Sequence, residues 1–200
     1  MTDHFKDRAA DYDAQPVPQQ ISEGVTAALT ARVAMTPDMT VLDFGAGTGL
    51  VAAKIAPHVG RLFAVDISEA MLAQLKSRPE LAGRVEVVCQ DLLTTPLAER
   101  VDLVTSAMAM HHVQDTPALL RTLRDHLVPG GQIALADLDA EDGTFHPPGV
   151  EGVFHHGFVR AVLGAQLTAA GFVDVVFETA CTVSRDGRSY PVFLVTAVRV

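Results

Sequence analysis

Five short apolar runs recur between residues 40 and 138, separated by stretches of a different hydrophobic period, and this alternation most narrows the folds open to the chain. The runs are TVLDF (40–44), RLFAVD (61–66), RVEVVCQ (84–90), VDLVTS (101–106) and QIALADL (132–138). They are short, apolar and partly β-branched, the pattern of strands covered on both faces. Between them lie helical spacings. Leu50, Val51, Lys54 and Ile55 precede Pro57, and Met71, Leu72 and Leu75 follow a Ser68 cap. Leu119, Leu120, Leu123 and Leu127 follow Thr116 and Pro117, and Pro129-Gly130-Gly131 is the expected stop. Strand and helix in that rhythm give a parallel sheet with a helix layer on each face.

After the fifth run the rhythm changes. HHGFVRAVLGAQLTAAGF supplies one more helix, then VDVVFETA and YPVFLVTAVRV read as two strands, joined by a stretch whose Asp186-Gly187 signals a hairpin. Ahead of the sheet, Ile21, Val25 and Leu29 mark an amphipathic helix. The expected fold is therefore α/β, with a Rossmann-like, doubly wound, mostly parallel sheet of seven strands ending in an antiparallel hairpin. A chain of 200 residues that is 48% hydrophobic suffices for one core. A single domain is expected over 1–200: an N-terminal helical cap at 1–38, a binding core at 39–138, a loop at 139–157, and a terminal helix and hairpin at 158–200.

The formal net charge of −9 and the lack of any Lys/Arg cluster argue against a nucleic-acid partner. Cys89 and Cys181, each in an apolar stretch, read as reduced and packed thiols, and there is no CxxC signature. The first fifteen residues are too polar for a signal peptide, and no apolar run approaches membrane-spanning length. A cytoplasmic location without a membrane partner is the expectation. Nothing in the pattern marks an oligomeric interface.

Function points to the turn after the first strand. In VLDFGAGTGL, Gly45, Gly47 and Gly49 follow Asp43 at alternate positions, where missing Cβ atoms let a backbone approach a ligand closely. The spacing is GxGxG; Leu50 stands where the dinucleotide fingerprint has its third glycine. Asp66 closes the second strand and Asp91 follows the third, so three acids share the carboxyl-end rim where open sheets bind ligands. That arrangement describes a nucleoside site with no obvious place for phosphates.

In order along the chain, VLDFGAGTG, AVDIS, CQDLL, VDLVTSAMAMHHV and LVPGGQIAL resemble the successive motifs of class I S-adenosylmethionine-dependent methyltransferases, closest to the small-molecule branch with the ubiquinone and menaquinone enzymes. The resemblance implies S-adenosylmethionine as cofactor, S-adenosylhomocysteine as product and a small-molecule methyl acceptor. It implies that Asp43 and the Gly45-Ala46-Gly47 backbone face the amino-acid end of the cofactor. It places Asp66 on the ribose, Ile67 against the adenine, Asp91 on the adenine amino group and Leu92 on the ring. Ser106 and Ala107 fall near the methionine portion, and Tyr12 matches the aromatic with which many members close the pocket. A nicotinamide oxidoreductase on the same sheet and a non-catalytic cofactor-binding protein remain as alternatives.

Methyl transfer from a sulfonium is an in-line displacement at an activated carbon, so positioning suffices for much of the rate and a base helps only where the acceptor loses a proton. Histidines are the candidates: His112 or His156 as base, with His111, His155 and His146 facing the acceptor. A capping role for the His111-His112 pair is equally open. The loop 139–157, rich in Pro and Gly, is assigned to acceptor binding or a lid, and the acids at 137–141 to a solvated loop. No metal is expected, because adjacent histidines diverge on any regular element.

Overall fold

The computed structural model describes residues 3–4 and 6–200. Its centre is one seven-stranded sheet: β1 (Thr40–Phe44), β2 (Arg61–Asp66), β3 (Val85–Cys89), β4 (Val101–Ala107), β5 (Leu127–Leu138), β6 (Phe172–Arg185) and β7 (Arg188–Arg199). The strand order is β3-β2-β1-β4-β5-β7-β6. The first five strands run parallel, and β7 lies antiparallel between β5 and β6. The expected fold is thus the observed one. The hairpin turns at Asp186-Gly187, both with positive φ, 50° and 75°, as a tight two-residue turn demands.

Two apolar layers hold the sheet. On one face α1 (Pro16–Arg32) brings Ile21, Val25 and Leu29, and α2 (Ala52–Ile55) and α3 (Glu69–Lys76) add Ile55, Leu72 and Leu75. On the other, α4 (Thr116–His126) and α5 (Arg160–Ala169) bring Leu119, Leu120, Leu123, Leu163 and Leu167. Alternate strand residues divide between them: Val41 and Leu62 face the first layer, Leu42 and Phe63 the second. Among the described residues no helix is long and apolar enough to cross a membrane.

Two elements differ from expectation. The helix expected to run to the Pro-Gly-Gly stop ends earlier, at His126, because Leu127 already pairs with Val101 before the register shifts. The segment after the glycine turn holds a four-residue α-helix, followed by a 3-10 turn at Ala56–His58 that contains Pro57.

The strand order reverses between β1 and β4, so their carboxyl ends splay apart into a crevice.

Candidate active site

The glycine turn is fixed before any ligand arrives. Gly45 and Ala46 donate their N–H groups to the Val65 carbonyl at 2.9 and 3.0 Å, which ties the exit of β1 to β2. Gly45 has φ 69°, and a Cβ there would sit 2.3 Å from the Ala109 Cβ. No larger residue fits between the β1 and β4 loops. Gly47, φ 54°, faces open space: the nearest atom to an added Cβ is the Gly45 oxygen at 4.0 Å. Asp66 braces the turn, its carboxylate accepting from Gly47 N at 2.8 Å and Ser68 N at 2.9 Å. Burial raises its pKa, and these backbone donors oppose the rise.

Two cavities meet at this turn. The larger, about 500 Å³, runs over β2 and β3 between Ile67, Met71, Asp91, Leu93 and Phe154. The smaller, about 320 Å³, lies toward α1 and the 139–157 loop, between Val17, Ile21, Phe145, His146 and Arg185. Tyr12, Gly45, Gly47, Ala107, Met108 and His112 line both. Met108 has φ 58°, a left-handed conformation that non-glycine residues adopt where surroundings compel it. Its N–H donates to the Ala136 carbonyl at 2.9 Å.

Asp43 stands on the wall of the smaller cavity, 2% exposed. One carboxylate oxygen accepts from Thr105 Oγ1 at 2.9 Å, while Oδ2 has no partner. Desolvation pushes its pKa up to about 7, the Thr105 bond opposing and the nearby Asp66 adding to it. A cation beside Oδ2 would reverse this.

Tyr12 arrives from the N-terminal segment, after a 3-10 turn at Lys6–Asp11. Its neighbour Asp13 accepts from the Thr48 hydroxyl of the glycine turn and forms an ion pair with Arg78, whose Nε also donates to the Thr48 carbonyl at 2.6 Å. This clasp seats Tyr12 across both cavities. Burial raises the phenol pKa, so Tyr12 stays a neutral hydrogen-bonding group.

One wall of the smaller cavity is made of imidazoles. A 3-10 turn, Met110–His112, follows β4 and sends His111 and His112 to the same side, ring centroids 4.1 Å apart. Adjacent histidines therefore do not diverge here, because the turn follows Met108 in its left-handed conformation and belongs to no regular helix or strand. His111 Nδ1 lies 2.7 Å from Asp137 Oδ1, and the pair is 1% and 0% exposed. Asp137 also accepts from His111 N at 3.2 Å and Leu138 N at 2.8 Å. His112 Nδ1 sits 2.7 Å from the Gly152 carbonyl. His146 enters from the 139–157 loop, its ring 5.0 Å from that of His111. Burial first, then repulsion from the neighbouring imidazoles, holds His112 and His146 down to a pKa of about 4, so both are neutral at pH 7.

Of the residues singled out in the sequence, Tyr12, Asp43, Gly45, Ala46, Gly47, Asp66, Ile67, Asp91, Ala107, His111, His112 and His146 line the cavities. Leu92 does not: it is buried in the α4 layer, and Leu93 faces the crevice, one residue later, because the chain leaves β3 in a turn with Leu93 N bonded to Asp91 Oδ1. Ser106 points away by the alternation of β4 and is buried, with Ala107 presented instead. His155 does not reach either cavity; its Nε2 is engaged by Thr116 Oγ1 and the Val113 carbonyl. His156 is also outside, its side chain 58% exposed beside Glu141. Asp137, assigned to a solvated loop, proves to be a strand residue and the partner of His111. An acid inside the otherwise apolar run QIALADL was the available signal.

Comparison with known proteins gives this geometry relatives. Residues 41–131 match the family model described as a methyltransferase domain. The chain is 30% identical over 146 residues to malonyl-[acyl-carrier protein] O-methyltransferase of Halorhodospira halophila, a match covering 69% of this chain and 50% of that protein. It spans about half the length of the curated relatives it matches first. Among solved structures, the DhpI–SAH complex superposes with TM-score 0.77 at 24% identity, over 98% of this chain and 93% of that one. The N-methyltransferase NodS of Bradyrhizobium japonicum, in complex with S-adenosyl-L-homocysteine, gives TM-score 0.72 at 19% identity, covering 94% and 89%.

Proposed function

The chain belongs to the class I S-adenosylmethionine-dependent methyltransferase family, and from that premise we propose that it transfers the cofactor's methyl group to a small-molecule acceptor seated in the smaller cavity. The observation that carries this reading is the junction: two cavities of unequal size share a wall at Gly45, Gly47 and Tyr12. A transfer between two ligands needs such a shared boundary.

The residues present fit the cofactor. The unpartnered Asp43 Oδ2, on the wall of the smaller cavity beside the shared glycines, asks for a cationic group, and the cofactor carries an ammonium, so its amino-acid end would reach across the junction to Asp43. Ile67 and Leu93 offer apolar surface for a planar base, with Asp66 and Asp91 at the rim as acceptors for hydroxyl and amino groups. The bound cofactor supplies a methyl carbon already activated by a sulfonium.

The protein's own work is then placement. Tyr12 and the Gly45–Gly47 backbone hold one ligand against the other and keep water from the junction. Val17, Ile21 and Phe145 give the smaller cavity an apolar body, and the imidazoles give it one polar end. Its 320 Å³ suits a compact acceptor with an apolar frame and a single protic group. His111, oriented by Asp137, is the ring placed to receive the acceptor's proton. This differs from the His112 and His156 assignment: His156 is outside, and His112 sits at the junction as a contact to both ligands.

The test is calorimetry with S-adenosylmethionine and S-adenosylhomocysteine, followed by an acceptor panel of phenols, carboxylic acids and thiols read by S-adenosylhomocysteine release. Binding without any release across the panel would leave a cofactor-binding protein and end the transfer reading.

A further inference from the structure

The histidine cluster has a property that placing a small acceptor does not require. One ring nitrogen of each of His111, His112 and His146 lies within 4.8 Å of the others. His111 Nδ1 faces a carboxylate and His112 Nδ1 faces a carbonyl, both of which only accept, so each Nδ1 carries its hydrogen and the lone pair of the neutral ring is on Nε2. His111 Nε2 and His146 Nδ1 are buried without any hydrogen-bond partner. Burying such atoms unmet is unfavourable, and a ligand that they could donate a lone pair to would relieve it. We propose that His111, His112 and His146 form a binding site for a divalent transition-metal ion of the zinc class, open on its fourth side to the smaller cavity.

Ligand chemistry selects the ion. Three imidazoles without thiolate suit zinc, cobalt, nickel or iron(II), and disfavour magnesium and calcium, which seek oxygen. Three protein ligands with one open position is the arrangement of reactive zinc sites, whereas structural sites are closed by a fourth ligand. The outer contacts agree. A carboxylate on His111 and a backbone carbonyl on His112 are the partners that orient metal-binding imidazoles and fix their tautomers.

The ligand from the loop is held as firmly as the other two. Glu141 accepts from Thr144 N and Phe145 N at 2.7 and 3.1 Å, turning the chain just before His146. Arg185 donates to the Phe145 carbonyl at 2.7 Å, and Thr144 meets the Tyr190 hydroxyl at 2.9 Å. Metal–nitrogen bonds of about 2.0–2.1 Å need donor atoms roughly 3.4 Å apart, so the loop draws inward on loading.

In the loaded protein the three lone pairs are committed to the ion. An acceptor hydroxyl would then release its proton to solvent and bind the ion through oxygen. This last step rests on the methyl-transfer reading; the ion site itself does not.

The experiment uses untagged protein, stripped with chelator and titrated with Co²⁺ and Zn²⁺, read by visible absorption of the cobalt form and by metal content after dialysis. The expected result is one equivalent bound, weakened at least about ten-fold in His146→Ala and in His112→Ala. His156→Ala, outside the cluster, should match the wild type. S-adenosylhomocysteine binding in His146→Ala and an unchanged thermal melt in His112→Ala verify the fold, and His146→Ala, on a surface loop, spares the buried His111–Asp137 pair. Folded wild-type protein that retains no ion, or His146→Ala that binds as the wild type does, overturns the site. Metal binding with no methyl transfer would refute the function and leave the site standing.

Discussion

The two cavities share a wall but are assembled differently. The larger cavity, proposed for the cofactor, is local: Gly45, Gly47, Asp66 and Asp91 each sit within a few residues of a strand end, held mainly by backbone bonds to the next strand, and Asp43 at the end of β1 lies just across the shared wall. The smaller cavity, proposed for the acceptor, is gathered from across the chain. α1, the turn after β4, the 139–157 loop and the last hairpin each contribute, joined by side-chain bonds such as Arg185 to the Phe145 carbonyl and Asp137 to His111. A strand end places a ligand group by geometry that any sheet provides. A wall built from side chains is specific to its own sequence.

Substitutions can force the two sides apart. The largest effect expected is from Gly45→Ala, where positive φ and overlap with Ala109 act together: affinity for S-adenosylhomocysteine should fall roughly 100-fold by calorimetry. Adding Ala109→Gly should return part of it; near-normal binding by Gly45→Ala alone would disprove the close approach.

Asp137→Asn should lower kcat by about 100-fold while the cofactor's dissociation constant stays within about two-fold. A parallel loss of cofactor affinity would mean that the two sides are one.

Asp43 carries the pH signature. Burial pushes its pKa up to about 7 in the folded protein, against 3.8 for an ordinary aspartate. The folded state therefore holds the extra proton between these values, and stability falls as pH rises from about 4 to about 7, then levels. A cationic ligand needs the ionised form, so cofactor affinity should drop as pH falls below about 7, approaching ten-fold per unit. Asp43→Asn should flatten both profiles and weaken binding about ten-fold at pH 8. Thermal melts and calorimetry between pH 5 and 8, about the window set by that shift, decide it.

The smallest effect belongs to the clasp. Asp13→Ala frees Tyr12 from Thr48 and Arg78 and should weaken cofactor binding by about three- to ten-fold, mostly through faster release in stopped flow. Unchanged release would reduce the clasp to ornament on the surface.

This contrast also explains what could be read from residues alone. Short apolar, partly β-branched runs announced β1 to β5, although β3 proves to be a half-exposed edge strand, and Asp186-Gly187 announced the hairpin, because apolar patterning and turn chemistry are written locally. Acids at strand ends announced Asp43, Asp66 and Asp91 on the cavity walls. Leu92 and Leu93 were exchanged because a single residue decides which side chain a turn presents. Asp137 was hidden for a different reason: whether an acid at a strand's end is solvated depends on what lies over it, and His111 comes from 26 residues away. The Asp13–Arg78 pair spans 65 residues, a separation that no periodicity reports.

The position of β7 has a consequence for how the molecule comes into being. It follows the other six strands of this sheet along the chain, yet it lies inside the sheet, between β5 and β6. While a ribosome is still extending the chain, the strands around the glycine turn already have their neighbours. β6, whose sheet partner is β7, must wait. Arg185, Tyr190 and the edge of β5 that ends in Asp137 are settled only when β7 slides into its slot. A nascent chain thus completes the glycine turn and its strand neighbours before the wall that Arg185 and the far edge of β5 contribute, and before the surface on which α1 comes to rest.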